Sequence, residues 1–242
     1  MLKKSIRAVC PPILWTAASR IGRGLSQVGR HSANRDSAPR TCDDVIAPDR
    51  QELDVYWNTE FAETLETWGE EYVWKEIQFF MAGREGAVLD IACGTGAAMQ
   101  RLEAFEGIEV TGCDISDLLI DKAKAKGIPE SCLRVFDATD MPFEDGQFVC
   151  AYSIGSLEHF TEAKLCRCIE ESRRVTTSVS FHMVPVNRSG VDEGWIRATQ
   201  AFFNNSTGWW TTRFRRDFRR VSALPSGWED ERSVGRWFVC EK

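Results

Sequence analysis

Short apolar runs alternate with amphipathic stretches along most of the chain, and the two patterns predict strands and helices in turn. The apolar runs predict buried β-strands at residues 87–92, 108–115, 133–138, 148–154, 178–186, 220–225 and 235–242. Apolar residues at three- and four-residue steps predict helices over residues 51–82, 97–105, 117–127, 161–175, 194–205 and 209–218. The last two strands follow each other without a helix between them, so we expect that pair to run antiparallel.

This alternation predicts an α/β fold, a Rossmann-like three-layer sandwich. We expect its middle layer to be a mostly parallel seven-stranded sheet with an antiparallel last strand. A length of 242 residues suits one domain with a short extension. We place a basic N-terminal segment and linker at residues 1–48 and the domain at residues 49–242.

Charge is distributed unevenly along the chain. Residues 1–40 hold eight Lys or Arg and one acid, although the whole chain has a net charge of −6. Removing that +7 from −6 leaves −13 for residues 41–242. The acidic body argues against a general nucleic-acid binder, and the basic head favours an anionic partner such as a membrane surface.

Three interpretations of the basic head stay open. It is a tail without a role, a peripheral membrane element within residues 1–30, or a targeting signal of the mitochondrial type. No apolar run reaches the roughly 18 residues that a membrane-spanning helix needs. We therefore expect a cytoplasmic protein, with membrane association through the head or a mitochondrial location if the head is a presequence.

The nine cysteines predict reduced thiols and no metal site. Their number is odd, and most lie inside apolar runs, where cysteine behaves as a small hydrophobic residue. Cys166 and Cys168 form a C-x-C pair, but no second pair with metal-ligand spacing follows.

Candidate chemistry is concentrated where the first three strands end. The first strand leads into the turn Cys93-Gly94-Thr95-Gly96, whose glycines allow a tight turn and close approach of the backbone to a ligand. Asp114 ends the second strand and Asp137 ends the third. Carboxyl ends of parallel strands share one edge of a sheet, so these groups predict a crevice for a nucleotide-like ligand.

The segments LDIACGTG, GCDIS, FDATDMPFEDGQF and YSIGSLEHF, in this order, resemble the class I S-adenosylmethionine-dependent methyltransferases. The likeness is to the small-molecule branch of that family and extends over roughly residues 50–242. It implies S-adenosylmethionine as the cofactor and a small-molecule methyl acceptor.

The resemblance also implies a role for each residue at the strand ends. Asp90 would hold the methionine amino group, and Asp114 would hold the ribose hydroxyls. The turn beneath the methionine and ribose would be formed by Ala92, Cys93, Gly94 and Gly96. The adenine would be contacted by Ile115, Asp137 and Ala138. Ser153 would lie near the reacting methyl group. Ala92 departs from the family pattern, since this position is often glycine.

Two histidines are candidates for the base that an oxygen nucleophile needs. His159 follows the fourth strand, and His182 lies within the fifth; each has a structural role as its alternative. Glu158 is a candidate for orienting groups at the same site. Tyr56 and Trp57 fit a lid over the cofactor or a core position.

The leading hypothesis is a methyltransferase that acts on a hydroxyl of a small molecule, such as a sugar or a glycan precursor. A quinone-type ring or a nitrogen acceptor is the alternative within the family. An NAD-dependent oxidoreductase or an inactive nucleotide-binding protein is the alternative outside it. The small residues at 92, 94 and 96 alternate more tightly than the G-x-G-x-x-G fingerprint. The arginines of residues 213–220 suggest a phosphate-bearing acceptor or a solvated helix face. The oligomeric state stays open.

Overall fold

The computed structural model describes residues 51–67, 72–197 and 200–242, and this part of the chain contains nine strands and six α-helices. The strands are β1 (Gly86–Ile91), β2 (Ile108–Asp114), β3 (Leu133–Val135), β4 (Phe148–Ile154), β5 (Thr176–Asn187), β6 (Trp195–Arg197), β7 (Ala201–Phe203), β8 (Arg220–Glu229) and β9 (Ser233–Glu241). The helices are α1 (Thr59–Thr67), α2 (Val73–Met81), α3 (Ala97–Leu102), α4 (Asp117–Ala125), α5 (Glu162–Val175) and α6 (Thr207–Phe214). Short 3-10 helices span Asp54–Trp57, Glu130–Cys132 and Leu157–His159.

Seven strands form one sheet in the order β3-β2-β1-β4-β5-β9-β8. The pairs from β3 to β5 are parallel, whereas β9 is antiparallel to both of its neighbours, β5 and β8. Six strands therefore point one way and the last strand points the other way, which confirms the predicted sheet. The strand order reverses between β1 and β4, and ligands of open α/β sheets bind at such a switch point.

Helices cover both faces of the sheet. Successive side chains of a strand point to opposite faces, and here the side chains on both faces are buried against helices. Val88 of β1 packs with α2 and α3. Its neighbour Leu89 faces the other way and packs in the cluster that contains α5 and α6. The predicted three-layer sandwich is confirmed.

The helix predicted over residues 194–205 is wrong. Strands β6 and β7 occupy this segment and pair with each other, with Trp195 opposite Phe203. Both aromatic rings are buried and lie 4.7 Å apart between centroids, whereas Ile196 and Phe202 are only half-buried. Burial thus alternates with period two, which a strand satisfies and a helix does not.

Several other predicted elements differ in extent. The helices predicted over residues 51–82 are a 3-10 helix at Asp54–Trp57 and the separate helices α1 and α2. Strand β3 ends at Val135, three residues before the predicted end. The predictions for residues 1–48 lie outside the described residues. Among the residues that the structure describes, none of the helices is long and apolar enough to cross a membrane.

Candidate active site

A cavity of about 230 Å³ lies at the carboxyl edge of the sheet, beside the ends of β1, β2 and β4. Eight of the ten predicted cofactor residues line this cavity: Asp90, Ala92, Cys93, Gly94, Asp114, Ile115, Asp137 and Ala138. The two others, Gly96 and Ser153, are not on its wall. The fold thus brings together most of the groups that the strand ends suggested, and their individual roles remain predictions.

The turn after β1 uses three left-handed residues. Gly94 and Gly96 have φ values of +56° and +75°, and Ala92 has φ +57°. Ala92 is a non-glycine residue in a region that costs an L-residue about 1–2 kcal/mol, which explains why glycine suits this position. A Cβ atom on Gly96 would lie 2.2 Å from the side chain of Ile128, so Gly96 lets α3 start against the end of α4. Gly96 thus packs the turn against its neighbours, and it is not on the cavity wall.

Asp114 connects the turn to the next helix. Its Oδ2 accepts a hydrogen bond of 2.9 Å from the backbone N–H of Gly94, and its Oδ1 accepts one of 2.9 Å from the N–H of Ser116. Burial raises the pKa of this carboxyl, and the hydrogen bonds from the backbone oppose that rise. The backbone of Ile115 is a third hydrogen-bond partner, and a carboxylate has about four acceptor positions, so Asp114 on the cavity wall keeps capacity for a further donor such as a hydroxyl.

Asp90 is a buried carboxyl with one internal partner. Oδ2 of Asp90 accepts a hydrogen bond of 2.9 Å from the phenol of Tyr152. Burial raises the pKa of Asp90 well above its usual range, although that hydrogen bond opposes the rise. The carboxyl thus lacks a cationic partner in its surroundings and can receive an amino group from the cavity side.

Asp137 is more fully occupied by its neighbours. Oδ1 accepts hydrogen bonds from the backbone N–H and the hydroxyl of Thr139, at 2.9 and 2.8 Å, and Lys164 Nζ lies 3.2 Å from Oδ2. Burial raises the pKa of Asp137, but these partners outweigh it and the net shift is downward. Asp137 is therefore an ionised residue of the cavity wall.

Residues 51–67, which we call the covering segment, lie over the cavity. Tyr56 lines the cavity, its phenol oxygen accepts a hydrogen bond of 2.7 Å from Gln200, and its carbonyl accepts one of 2.6 Å from the Ser116 hydroxyl. Trp57 is 44% exposed and donates from Nε1 to Asp117 at 2.8 Å. Tyr56 thus lies on the cavity wall, whereas Trp57 contacts α4 at the exposed side of the segment.

Lys126 ties the far end of the covering segment to the glycine turn. Its Nζ donates to the carbonyl and the hydroxyl oxygen of Thr95, at 3.2 and 3.0 Å, and also contacts the Glu66 carboxylate of α1. The Lys126 ammonium group therefore links the covering segment to the glycine turn.

His159 lies on the cavity wall in a defined tautomer. Its Nδ1 is 2.9 Å from the carbonyl oxygen of Ala201, so Nδ1 carries the proton and donates, and Nε2 is left as an acceptor. Burial lowers the pKa of His159 to about 4, which keeps the ring neutral. The adjacent Glu158 Oε1 lies 3.8 Å from Nε2.

The structure separates His182 and Ser153 from this group. The Ser153 hydroxyl contacts His182 Nδ1 at 2.9 Å, and His182 stacks on Phe214 of α6 with 5.1 Å between ring centroids. Both residues are fully buried on the α5 side of the sheet. Burial lowers the pKa of His182 to about 3. His182 is therefore a core histidine between hydroxyl groups, and we do not include it or Ser153 in the site.

Trp74, Gln51 and Gln200 are among the wall residues that were not predicted as site residues. Trp74 Nε1 and Gln51 Oε1 are buried polar atoms without a hydrogen-bond partner, and both residues face the cavity. Gln200 reaches the cavity from the β6–β7 hairpin. Trp74 belongs to the apolar pattern of a helix, which predicts a core position and gives no sign that its indole N–H faces a cavity. Gln200 fell in a segment that was predicted to be helical, so the sequence did not indicate a site role for either residue.

The cavity wall is acidic. Among the described residues, it includes Asp90, Asp114, Asp137 and Glu158 but neither Lys nor Arg. Arg213 lies over the Trp209 ring and Arg220 pairs with Glu241, and the arginines of residues 213–220 are not on this wall. A wall of this kind suits a cationic ligand.

Residues 88–178, from β1 into β5, match a family model described as a methyltransferase domain. The chain is 27% identical over 115 residues to the O-methyltransferase resE of Aspergillus sclerotiorum, covering 45% of this chain and 44% of that protein. It is 30% identical over 114 residues to the dTDP-4-amino-2,3,4,6-tetradeoxy-D-glucose N,N-dimethyltransferase of Saccharopolyspora spinosa, covering 46% and 41%.

A third relative has a different class of acceptor in its name. The chain is 32% identical over 105 residues to a probable tRNA methyltransferase 9B of Bos taurus, covering 42% of this chain and 22% of that protein. The chain thus spans between about a fifth and about half of the length of these curated relatives. A solved SAM-dependent methyltransferase from Aquifex aeolicus superposes with a TM-score of 0.56 at 14% identity, covering 76% of this chain and 98% of that one. That likeness concerns the fold.

Proposed function

We propose, from the premise that this chain belongs to the class I S-adenosylmethionine-dependent methyltransferases, that it transfers a methyl group from S-adenosylmethionine to the hydroxyl of a small molecule.

The observation that carries the proposal is the hydrogen bond between Gly94 and Asp114 at the wall of the cavity. This hydrogen bond joins the glycine turn after β1 to the acid that ends β2. A glycine turn allows a ligand to approach the backbone closely, and an acid at the end of the second strand can bind the hydroxyls of a ribose. When bound, S-adenosylmethionine supplies an activated methyl group on a positively charged sulfur.

The residues on the wall fit this cofactor. Asp114 would hold the ribose hydroxyls through its remaining acceptor positions, and Asp90 would receive the amino group. Trp74 Nε1, a buried donor without a partner, would reach the carboxylate. The acidic wall offsets the positive charge of the sulfonium, whereas it would repel the anionic pyrophosphate of a dinucleotide.

The hydroxyl acceptor is supported by His159. Its Nε2 is an unprotonated acceptor atom at the cavity, held in place by the bond from Nδ1 to Ala201. An unprotonated ring nitrogen can accept a hydrogen bond from a hydroxyl and so orient its oxygen toward the methyl group. The names of two relatives add that an oxygen and an amino-sugar acceptor occur among similar proteins. A sugar hydroxyl is the acceptor that we would test first.

The first experiment is a calorimetric titration of the purified chain with S-adenosylmethionine, S-adenosylhomocysteine and NAD. We expect micromolar binding of the first two and no binding of NAD. Binding of NAD alone would overturn the proposal in favour of an oxidoreductase. If neither methionine-derived ligand binds, the cofactor assignment fails.

The acceptor is then sought with S-adenosylmethionine labelled in its methyl group. Sugars and nucleotide-sugars with free hydroxyls, quinols, small amines and bulk tRNA are incubated separately with the protein. Label on a sugar hydroxyl supports the proposal. Label only on a quinol, an amine or tRNA replaces the proposed acceptor with that one, and binding without any transfer favours an inactive relative.

A further inference from the structure

Glu158 is a buried acid at the cavity that lacks a charged partner. It follows β4 in the 3-10 helix Leu157–His159, and the buried side chains of Leu157 and Phe160 fix its position. Glu158 is 3% exposed, and its Oε2 has no hydrogen-bond partner. Among the described residues it makes no ion pair with Lys or Arg; its one charged-group neighbour is His159 Nε2 at 3.8 Å.

The groups that face this pair bring no net positive charge to Glu158. Arg197 of β6 is neutralised by its ion pair with Glu52 of the covering segment, at 2.9 Å. Tyr56 faces Glu158 as a neutral phenol, since burial raises its pKa. The cavity wall also includes Asp90, Asp114 and Asp137, and Asp137 is paired with Lys164. A carboxylate at Glu158 is thus poorly stabilised by the protein alone.

We propose that Glu158 is the counter-ion of the cofactor's sulfonium: it gives up its proton when that positive charge enters the cavity and takes up the acceptor's proton when the charge is lost. This inference rests on the proposed function, because it concerns the same cavity and the same cofactor. It assigns to Glu158 a part in both binding and proton removal.

The physical basis is the balance of charge in a closed, poorly solvated space. Burial raises the pKa of Glu158 to about 8, so the free protein holds the proton at neutral pH. An opposite charge nearby favours the ionised form of a carboxyl. A cation therefore enters most favourably when Glu158 leaves its proton to solvent, and the net charge of the cavity then stays unchanged.

The same balance holds during transfer. The acceptor oxygen forms a bond to the methyl carbon, the carbon–sulfur bond breaks, and its electron pair stays on sulfur, which becomes neutral. The acceptor's proton must then be taken up. Glu158, with His159 Nε2 beside it, receives this proton, and the cavity again holds a neutral acid and a neutral thioether.

This account separates the two cofactor forms by their protons. At pH 7, a carboxyl with a pKa of about 8 is mostly protonated, so S-adenosylmethionine should release up to about 0.9 proton from Glu158 on binding. S-adenosylhomocysteine has no sulfonium and should release none from Glu158. Below pH 8, each increase of one pH unit should raise the affinity for S-adenosylmethionine, relative to that for S-adenosylhomocysteine, by up to about tenfold.

The test is calorimetry at pH 7 in two buffers with different ionisation enthalpies, which counts the protons exchanged on binding. Wild-type protein and Glu158→Gln are each titrated with both ligands, and Glu170→Gln, an exposed acid of α5, is the matched control. The amino group of each ligand titrates in a nearby range, and Glu158→Gln measures that contribution directly. Glu158→Asp keeps a carboxyl at the site and provides a second variant.

We expect S-adenosylmethionine to release more protons from the wild type and from Glu170→Gln than from Glu158→Gln. We also expect Glu158→Gln to weaken S-adenosylmethionine more than tenfold at pH 8 and S-adenosylhomocysteine less than twofold, with Glu158→Asp retaining proton release. Equal proton release from the wild type and Glu158→Gln would overturn the inference and leave the proposed function standing. Failure of the wild type to bind either ligand would instead overturn the proposed function.

Discussion

Gly94 and Asp114 are twenty positions apart in sequence, and the backbone N–H of the first donates a 2.9 Å hydrogen bond to the carboxylate of the second. This contact closes the turn after β1 against the end of β2. It orients Asp114 before any ligand arrives, so the carboxylate pays little further ordering entropy when a diol binds.

Replacement of Asp114 should weaken the cofactor rather than the acceptor. Asp114→Ala removes the charged acceptor of the ribose hydroxyls, so we expect S-adenosylmethionine affinity to fall by about 1–3 kcal/mol. Calorimetry measures the loss, and Glu109→Gln on the exposed part of the same strand is the control. Unchanged affinity in a folded Asp114→Ala protein would contradict the assignment.

Ala92 should respond to substitution according to its backbone conformation. Ala92→Gly relieves a left-handed residue at φ +57° but gains freedom in the unfolded chain, so the free energy of unfolding should change by less than about 1 kcal/mol. Ala92→Val places a β-branched residue at the same φ and should lose about 1–2 kcal/mol. Urea denaturation checks both, with Ala87→Val in the extended strand β1 as the comparison. A Val variant at position 92 as stable as the wild type would show that the turn can adopt another conformation.

The covering segment should control how quickly the cofactor leaves. Trp57→Phe keeps an aromatic ring but removes the Nε1 donor to Asp117. Lys126→Met removes the ammonium group that contacts both Thr95 and Glu66. Each lost hydrogen bond is worth about 1 kcal/mol, so the dissociation rate of S-adenosylmethionine should rise about three- to tenfold. Stopped-flow fluorescence measures that rate. Hydrogen exchange should be faster in residues 51–67 and unchanged in β4; uniform acceleration would point to global destabilisation instead.

His182 should make the protein less stable in acid. Burial lowers its pKa to about 3, so between pH 3 and 6.5 the unfolded chain binds a proton that the folded chain does not. The contribution of neutral His182 is complete above its unfolded pKa and is lost as pH falls. From pH 7 to 5 it decreases by about 2 kcal/mol.

The measurement is urea denaturation of wild type and His182→Gln at both pH values. The difference between the two proteins isolates this group from Glu158 and Asp90, whose raised pKa values act in the opposite direction because they favour the folded state in acid. The wild type should lose about 2 kcal/mol more than the variant. Parallel losses in both proteins would mean that His182 is charged in the folded state.

The sequence predicted the sheet and the acidic and glycine positions of the cavity wall because both follow from local patterns. Apolar runs mark β1, β2 and β4, and the residues after such strands meet at one edge whatever the details of packing. Asp90, Gly94 and Asp114 were found in this way, and all three line the cavity.

The errors arose where a side chain's face depends on tertiary context. Ser153 and Ile154 are neighbours at the end of β4, but successive strand residues point to opposite faces, so Ile154 lines the cavity and Ser153 does not. His159 and His182 could not be distinguished for the same reason. Residues 194–205 are too short an apolar stretch to separate a hairpin from a helix by periodicity alone.

Because β9 lies inside the sheet but is the last of its strands to be synthesised, the sheet cannot be completed until β9 has been made. β8 is joined to the sheet only by β9, and β9 fills the place between β5 and β8. While the ribosome is still making residues 233–241, β5 presents an open edge and β8 has no partner. The cavity residues have all been synthesised by then, so the site can assemble before the sheet that supports it is complete.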